Sequence, residues 1–201
     1  MGVARFSQGV EPRARQAKVR LTGGQLAGRR LRSAPAGVRP TSDRVRESMF
    51  AWLDCWQDAH VLDLYAGTGT LGLEALSRGA REVVFVDHSA AALRVLKANL
   101  DALGVRSATR VRKSDAQRAF RELERRAGSF DVVLLDPPYA SEELAWALPR
   151  LAEARCLAAQ GLIVVERDRR GDLPLPAGLR RMDSRGYGDT LIDVLERCEV
   201  G

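Results

Sequence analysis

Residues Val61 to Gly72, Val-Leu-Asp-Leu-Tyr-Ala-Gly-Thr-Gly-Thr-Leu-Gly, leave the chain few folds to choose from. A short apolar run, Val61 to Leu64, is broken only by Asp63 and runs into Gly67, Gly69 and Gly72. A helical pattern follows from Leu71 to Arg78 and closes at Gly79. Strand, tight turn and helix in that order open a βαβ unit. The glycines let a ligand approach the backbone, and the helix start offers N–H groups that have no partner within the helix. Asp87 lies twenty residues after Gly67, at the end of the next apolar run, Val83 to Val86. A carboxylate placed there can hold the two hydroxyls of a ribose. The stretch reads as a pocket for an adenosine-bearing cofactor.

Two cofactor classes share that logic. Gly67-x-Gly69-x-x-Gly72 satisfies the dinucleotide fingerprint, which keeps NAD open. Asp63, four residues before Gly67, points the other way. A carboxylate at the tip of the first strand repels a pyrophosphate and suits a ligand with an ammonium and a sulfonium. That ligand is S-adenosyl-L-methionine, and Asp63-x-x-x-Gly67-x-Gly69 resembles the first motif of its methyltransferases.

The remaining elements alternate. Thr41 or Ser42 caps a helix whose apolar face is Val45, Met49, Phe50, Trp52 and Leu53. Glu82 to Asp87 is a strand, and Ser89 caps a helix that ends at Gly104. Ala108 to Val111 is a weak strand, Ala116 to Arg126 a charged outer helix, and Phe130 to Leu135 the most apolar and hence central strand. Ser141 to Ala154 is helical with an interruption expected at Pro149, and Gly161 to Glu166 is a fifth strand. Leu179 to Arg185 and Thr190 to Glu196 flank Gly186-Tyr187-Gly188-Asp189 as strand, turn and strand. The expected fold is α/β, a largely parallel sheet with an antiparallel edge.

Charge is unevenly spread. The chain of 201 residues carries +6 overall, but residues 1–46 hold ten Arg and one Lys against Glu11 and Asp43, leaving −3 for the rest. A basic segment on a near-neutral body fits a polyanion partner, above all nucleic acid. Residues 1–17 read as a basic, flexible arm, 18–40 as a small β-hairpin and loop bearing Arg29, Arg30 and Arg32, and 41–201 as the catalytic domain. Cys55, Cys156 and Cys198 make neither a metal spacing nor a disulfide framework, and His60 and His88 are too few for a metal site. No metal and no membrane partner is expected, and a reducing cytoplasm fits.

Asp136-Pro137-Pro138-Tyr139 follows the central strand, at the edge where open α/β sheets bind ligands. Asp136 and the Pro137 carbonyl can both accept hydrogen bonds from one NH₂ group, Pro138 stiffens the turn, and Tyr139 offers an aromatic face for a base. The exocyclic amine of a nucleobase is a poor nucleophile, and a sulfonium methyl is a strong electrophile. A protein that joins them must align nitrogen, carbon and sulfur and stabilise the charge that grows on nitrogen.

With these parts in place, the chain resembles the bacterial 16S rRNA guanine-N2 methyltransferases, the RsmD family, from about Val19 onward. The resemblance is carried by Gly23-Gly24 with Gly28-Arg29, by Arg39-Pro40-Thr41-x-Asp43-Arg44-Val45-Arg46-Glu47-Ser48-x-Phe50, by Asp63 to Gly79, by Asp136 to Tyr139 and by Tyr187-Gly188-Asp189-Thr190. The basic segment before Val19 falls outside it. The resemblance implies a class I S-adenosylmethionine-dependent methyltransferase fold, Rossmann-like, with sheet order 3-2-1-4-5-7-6 and a small N-terminal β-hairpin extension. It implies that Asp63, Tyr65, Ala66, Gly67, Thr68 and Gly69 line the methionine end of the cofactor, and that Asp87 takes the ribose. Asp115 would take the adenine amine, with His88, Ser114 and Ala116 nearby, while Thr41, Arg46 and Glu47 close over the cofactor. Asp136, Pro137, Pro138 and Tyr139 would hold the guanine, and Arg29, Arg30, Arg32 and Arg39 would touch RNA. The implied partner is 16S rRNA within an assembling small ribosomal subunit, met by a monomer.

Two other readings stay open on the residues alone. Asp-Pro-Pro-Tyr equally suits an adenine-N6 methyltransferase acting on DNA or RNA. A non-catalytic RNA-binding or NAD-binding protein would use the same turn and the same charge.

Overall fold

A computed structural model describes residues 19–33, 43–123, 129–138, 142–173 and 175–198. The expected arm over 1–17 and the loop over 34–40 lie outside these residues. Two short strands come first, β1 (Val19–Arg20) and β2 (Arg30–Leu31), paired antiparallel. Helix α1 (Asp43–Trp52) precedes the main sheet. Then follow β3 (His60–Asp63), α2 (Thr70–Ser77), β4 (Glu82–Asp87), α3 (Ala90–Leu103), β5 (Thr109–Lys113), α4 (Ala116–Leu123), β6 (Phe130–Leu135), α5 (Glu143–Glu153) and β7 (Leu157–Asp168). A hairpin of β8 (Leu179–Tyr187) and β9 (Thr190–Arg197) ends the described chain.

The seven-stranded sheet runs β5-β4-β3-β6-β7-β9-β8, parallel except where β9 joins β7 and β8. In strand sequence this is the expected order 3-2-1-4-5-7-6. The chain moves outward from β3 to β5, then crosses back to lay β6 against the other side of β3. That reversal opens a crevice at the strands' carboxyl ends.

Side chains alternate across the strands, so each strand feeds two cores. Val61, Val83, Phe85, Val132, Leu134 and Val164 pack with Met49 and Phe50 of α1, Leu73 of α2 and Leu96 and Leu100 of α3. Leu62, Leu64, Val84, Val86, Val133, Leu135, Ile163 and Val165 pack with Phe120 of α4 and Leu148 and Leu151 of α5. Burying both faces explains why these strands read as nearly continuous apolar runs.

Helix α3 starts and stops where its caps require. Ser89 Oγ accepts from Ala92 N at 3.2 Å, and Gly104 terminates it. The expected interruption of α5 does not occur: the helix runs through Pro149, and Arg150 Nη1 donates to the Trp146 carbonyl at 2.9 Å. Strand β7 begins at Leu157, ahead of the expected Gly161, because Phe130 pairs with Leu157 while Val132 pairs with Leu162. A bulge takes up the difference.

Candidate active site

The crevice is built by the tips of β3, β4, β5 and β6. Asp63 on β3 sits beside Leu134 of β6, and Leu64 N donates to Leu134 O at 3.1 Å as the chain leaves the strand. Ala66 N then donates to Val86 O at 3.0 Å, and Gly69 N to Ala66 O at 2.7 Å. This tight turn delivers the chain into α2. Gly67 has φ 53° and Gly69 φ 83°, backbone that L side chains rarely adopt. A Cβ on Gly67 would meet nothing within 4 Å, whereas one on Gly69 would strike Leu96. Gly67 thus borders open space, and Gly69 lets α2 and α3 close up.

Two carboxylates flank the turn. Asp87 Oδ2 accepts from Gly67 N and its Oδ1 from Ser89 N, each at 2.7 Å. Asp63 is buried beneath the turn, and its Oδ2 accepts from Gly72 N at 3.0 Å. Burial pushes the Asp63 carboxyl up to about 7; the Gly72 N–H opposes this and the charge of Asp87 adds to it.

The other expected cofactor residues surround the same edge. Ser114 N donates to Asp87 O at 3.1 Å, while its buried hydroxyl oxygen has no hydrogen-bond partner among the described residues. Asp115 Oδ1 accepts from Arg118 N at 2.7 Å and so caps α4, whose first residue is the buried Ala116. His88 is exposed, with Nδ1 3.9 Å from Asp87 Oδ1. Thr68 Oγ1 lies 3.4 Å from Thr70 Oγ1. Tyr65 turns its hydroxyl toward Glu143 Oε2, 2.8 Å away. Burial first, and then Glu143, push this phenol further up, so it stays a neutral donor. Asp63, Tyr65 to Gly69, Asp87, His88 and Ser114 to Ala116 therefore share one sheet edge.

Asp136, Pro137 and Pro138 leave β6 next door, with Pro137 buried and Pro138 exposed. Tyr139 lies outside the described residues, as do Thr41 and Arg39.

Arg46 is the clear departure from the expected site. It is fully buried, with Nε 3.4 Å from Glu74 Oε2 and Nη2 donating to the Arg20 carbonyl. Its guanidinium fastens β1 to α2 instead of closing over the turn. Helix α1 presents it inward beside Val45 and Met49, and a buried cation takes the carboxylate within reach. Glu47, one residue on, is exposed.

Arg29, Arg30 and Arg32 are exposed on the hairpin, and Arg29 Nη2 also donates to Ala102 O of α3 at 2.7 Å. The hairpin is held by residues that the motif reading passed over. Glu74 accepts from Thr22 N at 2.9 Å, Thr22 Oγ1 at 2.6 Å and Gly23 N at 2.9 Å. Asn99 Oδ1 accepts from Arg32 N at 2.8 Å, and its Nδ2 donates to Arg32 O at 3.1 Å and to Thr68 O at 3.3 Å. Asn99 thus joins the hairpin to the glycine turn. Both had a signal: each is a polar residue on the apolar face of its helix, among Leu71, Leu73 and Ala75 or Leu96, Leu100 and Leu103.

The chemistry of the edge fits a cationic adenosine cofactor. The space beside Gly67, the unpartnered Ser114 hydroxyl next to Asp87 and the buried Asp63 carboxyl are all features a bound nucleoside with a positive group would complete. Among the described residues no cluster could hold a metal ion, and no helix is long and apolar enough to cross a membrane.

Known proteins resemble the chain over most of its length. A family model described as conserved hypothetical protein 95 matches residues 19–196. The chain is 38% identical over 159 residues to ribosomal RNA small subunit methyltransferase D of Escherichia coli, covering 78% of each protein. It is 36% identical over 160 residues to the Haemophilus influenzae protein of the same name, covering 79% of this chain and 82% of that one. The solved structure of Escherichia coli yhhF superposes with a TM-score of 0.76 at 33% identity, covering 90% of this chain and 98% of that one.

Proposed function

Since the chain belongs to the family described as conserved hypothetical protein 95, the RsmD family, we propose that it methylates the exocyclic N2 amine of one guanine in 16S rRNA. It is an S-adenosyl-L-methionine-dependent rRNA methyltransferase with a class I fold. The observation that carries the finer reading is an adjacency. The glycine turn with Asp63 and Asp87 lies on one side of the sheet's reversal, and Asp136 with its two prolines lies directly on the other.

The cofactor supplies an electrophilic methyl group on a sulfonium. Asp87 takes the ribose hydroxyls, and Asp115, with His88, Ser114 and Ala116 beside it, takes the adenine. Asp63 and the turn from Tyr65 to Gly69 hold the methionine end. Asp136 and the Pro137 carbonyl accept hydrogen bonds from the amine's two N–H groups, which turns the nitrogen lone pair toward the crevice and offsets the charge that grows on nitrogen. Tyr139 stacks on the base, which must leave its helix to be reached. The exposed Arg29, Arg30 and Arg32, with Arg39 and the basic arm over 1–17, bind phosphates and bring in the RNA. The substrate context is an assembling small subunit in the cytoplasm, met by a monomer.

The test is transfer of tritiated methyl from the donor to small subunits of a strain lacking its own enzyme, followed by nucleoside analysis. N2-methylguanosine at one position is expected. N6-methyladenosine, or donor binding without transfer, would overturn the reading.

A further inference from the structure

A buried carboxylate stands one strand over from Asp136. Strands β6 and β7 run parallel, with Leu134 level with Val164 and Leu135 level with Val165. The next residue on each strand is acidic, Asp136 after β6 and Glu166 within β7. A residue that precedes a proline is held extended, so Asp136, ahead of Pro137, keeps the direction of β6. Alternation then puts both residues on the face where Leu134 and Val164 pack with α1. Neighbouring strands lie about 5 Å apart, which sets the two acidic residues side by side.

Glu166 departs from the apolar pattern of its row. Leu162 and Val164 precede it on the same face of β7, and its partner on β9 is Ile192. Only 3% of its surface is exposed, whereas Asp136 is half-buried at the rim. A carboxylate costs free energy in such a row, and two of them side by side repel. N–H groups that meet both carboxylates at once offset that cost. The proposed contacts of the methyl donor lie at the tips of β3, β4 and β5, and none of them falls to Glu166.

Guanine carries such N–H groups in a row. A flipped base is read on its Watson–Crick edge, and there the N1–H of guanine lies beside the N2 amine. Adenine has a bare N1 lone pair beside its N6 amine instead. We infer that Glu166 determines the specificity of the site for guanine, by accepting a hydrogen bond from its N1–H. The same carboxylate repels the N1 lone pair of an adenine whose amine occupies the place beside Asp136. The inference rests on the reading of Asp136 as acceptor for the amine. It separates two chemistries that Asp-Pro-Pro-Tyr alone leaves equal, and it concerns the choice of base, not the binding of the donor.

The experiment uses small subunits reconstituted with 16S rRNA that carries 2-aminopurine in place of the methylated guanine. This base keeps the C2 amine but has a lone pair at N1 and no O6. Single-turnover transfer is measured on guanine and 2-aminopurine subunits with the wild type, Glu166→Gln and Asp136→Asn. The wild type should prefer guanine by on the order of 10–100-fold, the worth of one hydrogen bond to a charged group. The amide of Glu166→Gln can accept from an N1–H or donate to a bare N1, so its preference should shrink about tenfold. The missing O6 weighs alike on both proteins, and damaged packing weighs alike on both substrates, so the change in the ratio isolates N1. A wild type that methylates both substrates equally, or a ratio unchanged in Glu166→Gln, would overturn the role of Glu166 even where Asp136→Asn is slow. A normal rate of Asp136→Asn on guanine would overturn the amine-site reading itself, and the inference with it.

Discussion

Asp63 and Glu74 are both buried carboxylates that meet α2, and the chain treats them in opposite ways. Glu74 is saturated. It takes Thr22 N, Thr22 Oγ1 and Gly23 N from the hairpin, Arg46 Nε from α1 and Arg78 Nε from the end of its own helix. Asp63, at the other end of α2, receives Gly72 N from the described residues and sits with its carboxyl pushed up to about 7. A buried charge is tolerable when donors surround it and costly when they do not. Glu74 is therefore a joint, complete in the protein alone. On the proposed reading Asp63 belongs to the site, and a cationic ligand is what completes it.

The most forceful way to break this contrast is to remove the joint. Glu74→Ala removes at once the buried carboxylate shared by Arg46, Arg78, Thr22 and Gly23, a loss of about 3–5 kcal/mol. Its melting temperature should fall steeply, and what remains folded at low temperature should still bind the donor. Glu74→Gln should be milder, since its amide oxygen still accepts from Thr22 and Gly23. If Glu74→Ala melts like the wild type, the hairpin is not held as the geometry indicates.

The carboxylates assigned to the ligands on the proposed reading should behave in reverse, losing function more than stability. Asp136→Ala removes both the acceptor and the charge at the proposed amine site. It should cut transfer by about 10²–10³, with Asp136→Asn retaining a residual rate, and both variants binding the donor normally. Single-turnover rates decide this, and a near-normal Asp136→Ala would leave the β6 tip without a role. Asp87→Ala comes next. Hydrogen bonds to a charged group are worth about 1.5–3 kcal/mol, so donor affinity should fall by that much while RNA affinity holds. Calorimetric titration with the donor reads it directly, and unchanged affinity would move the ribose elsewhere.

The same contrast separates what the sequence made legible from what it hid. Strand β4 and helix α3 are readable to the residue, because their signals are local: an apolar run ending in Asp87, then Ser89 and Gly104 as caps. The glycine turn is readable for the same reason. The joint is not, since Thr22 and Glu74 lie 52 residues apart, Arg32 and Asn99 67, and Tyr65 and Glu143 78. Such pairs exist only once the sheet has brought their elements together. Arg46 shows the cost of reading by motif: the pattern around it marks the family, yet its side chain is buried on Glu74. Strand β5 was faint because it is the sheet's edge, with no buried residue between Thr109 and Lys113.

The finest test lies in the pH dependence of Asp63. Its carboxyl is raised because burial penalises the charged form, so the fold favours the protonated acid up to about pH 7. By linkage, stability is lost as pH rises from the ordinary carboxylate range to about 7, and no further loss comes from this group above that. A cationic donor reverses the preference, because it binds the ionised form. Donor affinity should therefore rise with pH through about 7 and level off above it. If only the ionised form binds, affinity falls by about tenfold, or about 1.4 kcal/mol, between pH 8 and pH 6. Asp63→Asn carries no proton to lose, so its affinity should be weaker at pH 8 and flat across the range. Asp87 is the neighbouring charge that bears on Asp63, and His88 stands exposed beside Asp87. Both remain in the Asn variant. A pH slope that survives in Asp63→Asn would not belong to Asp63, which would then join Glu74 as structure.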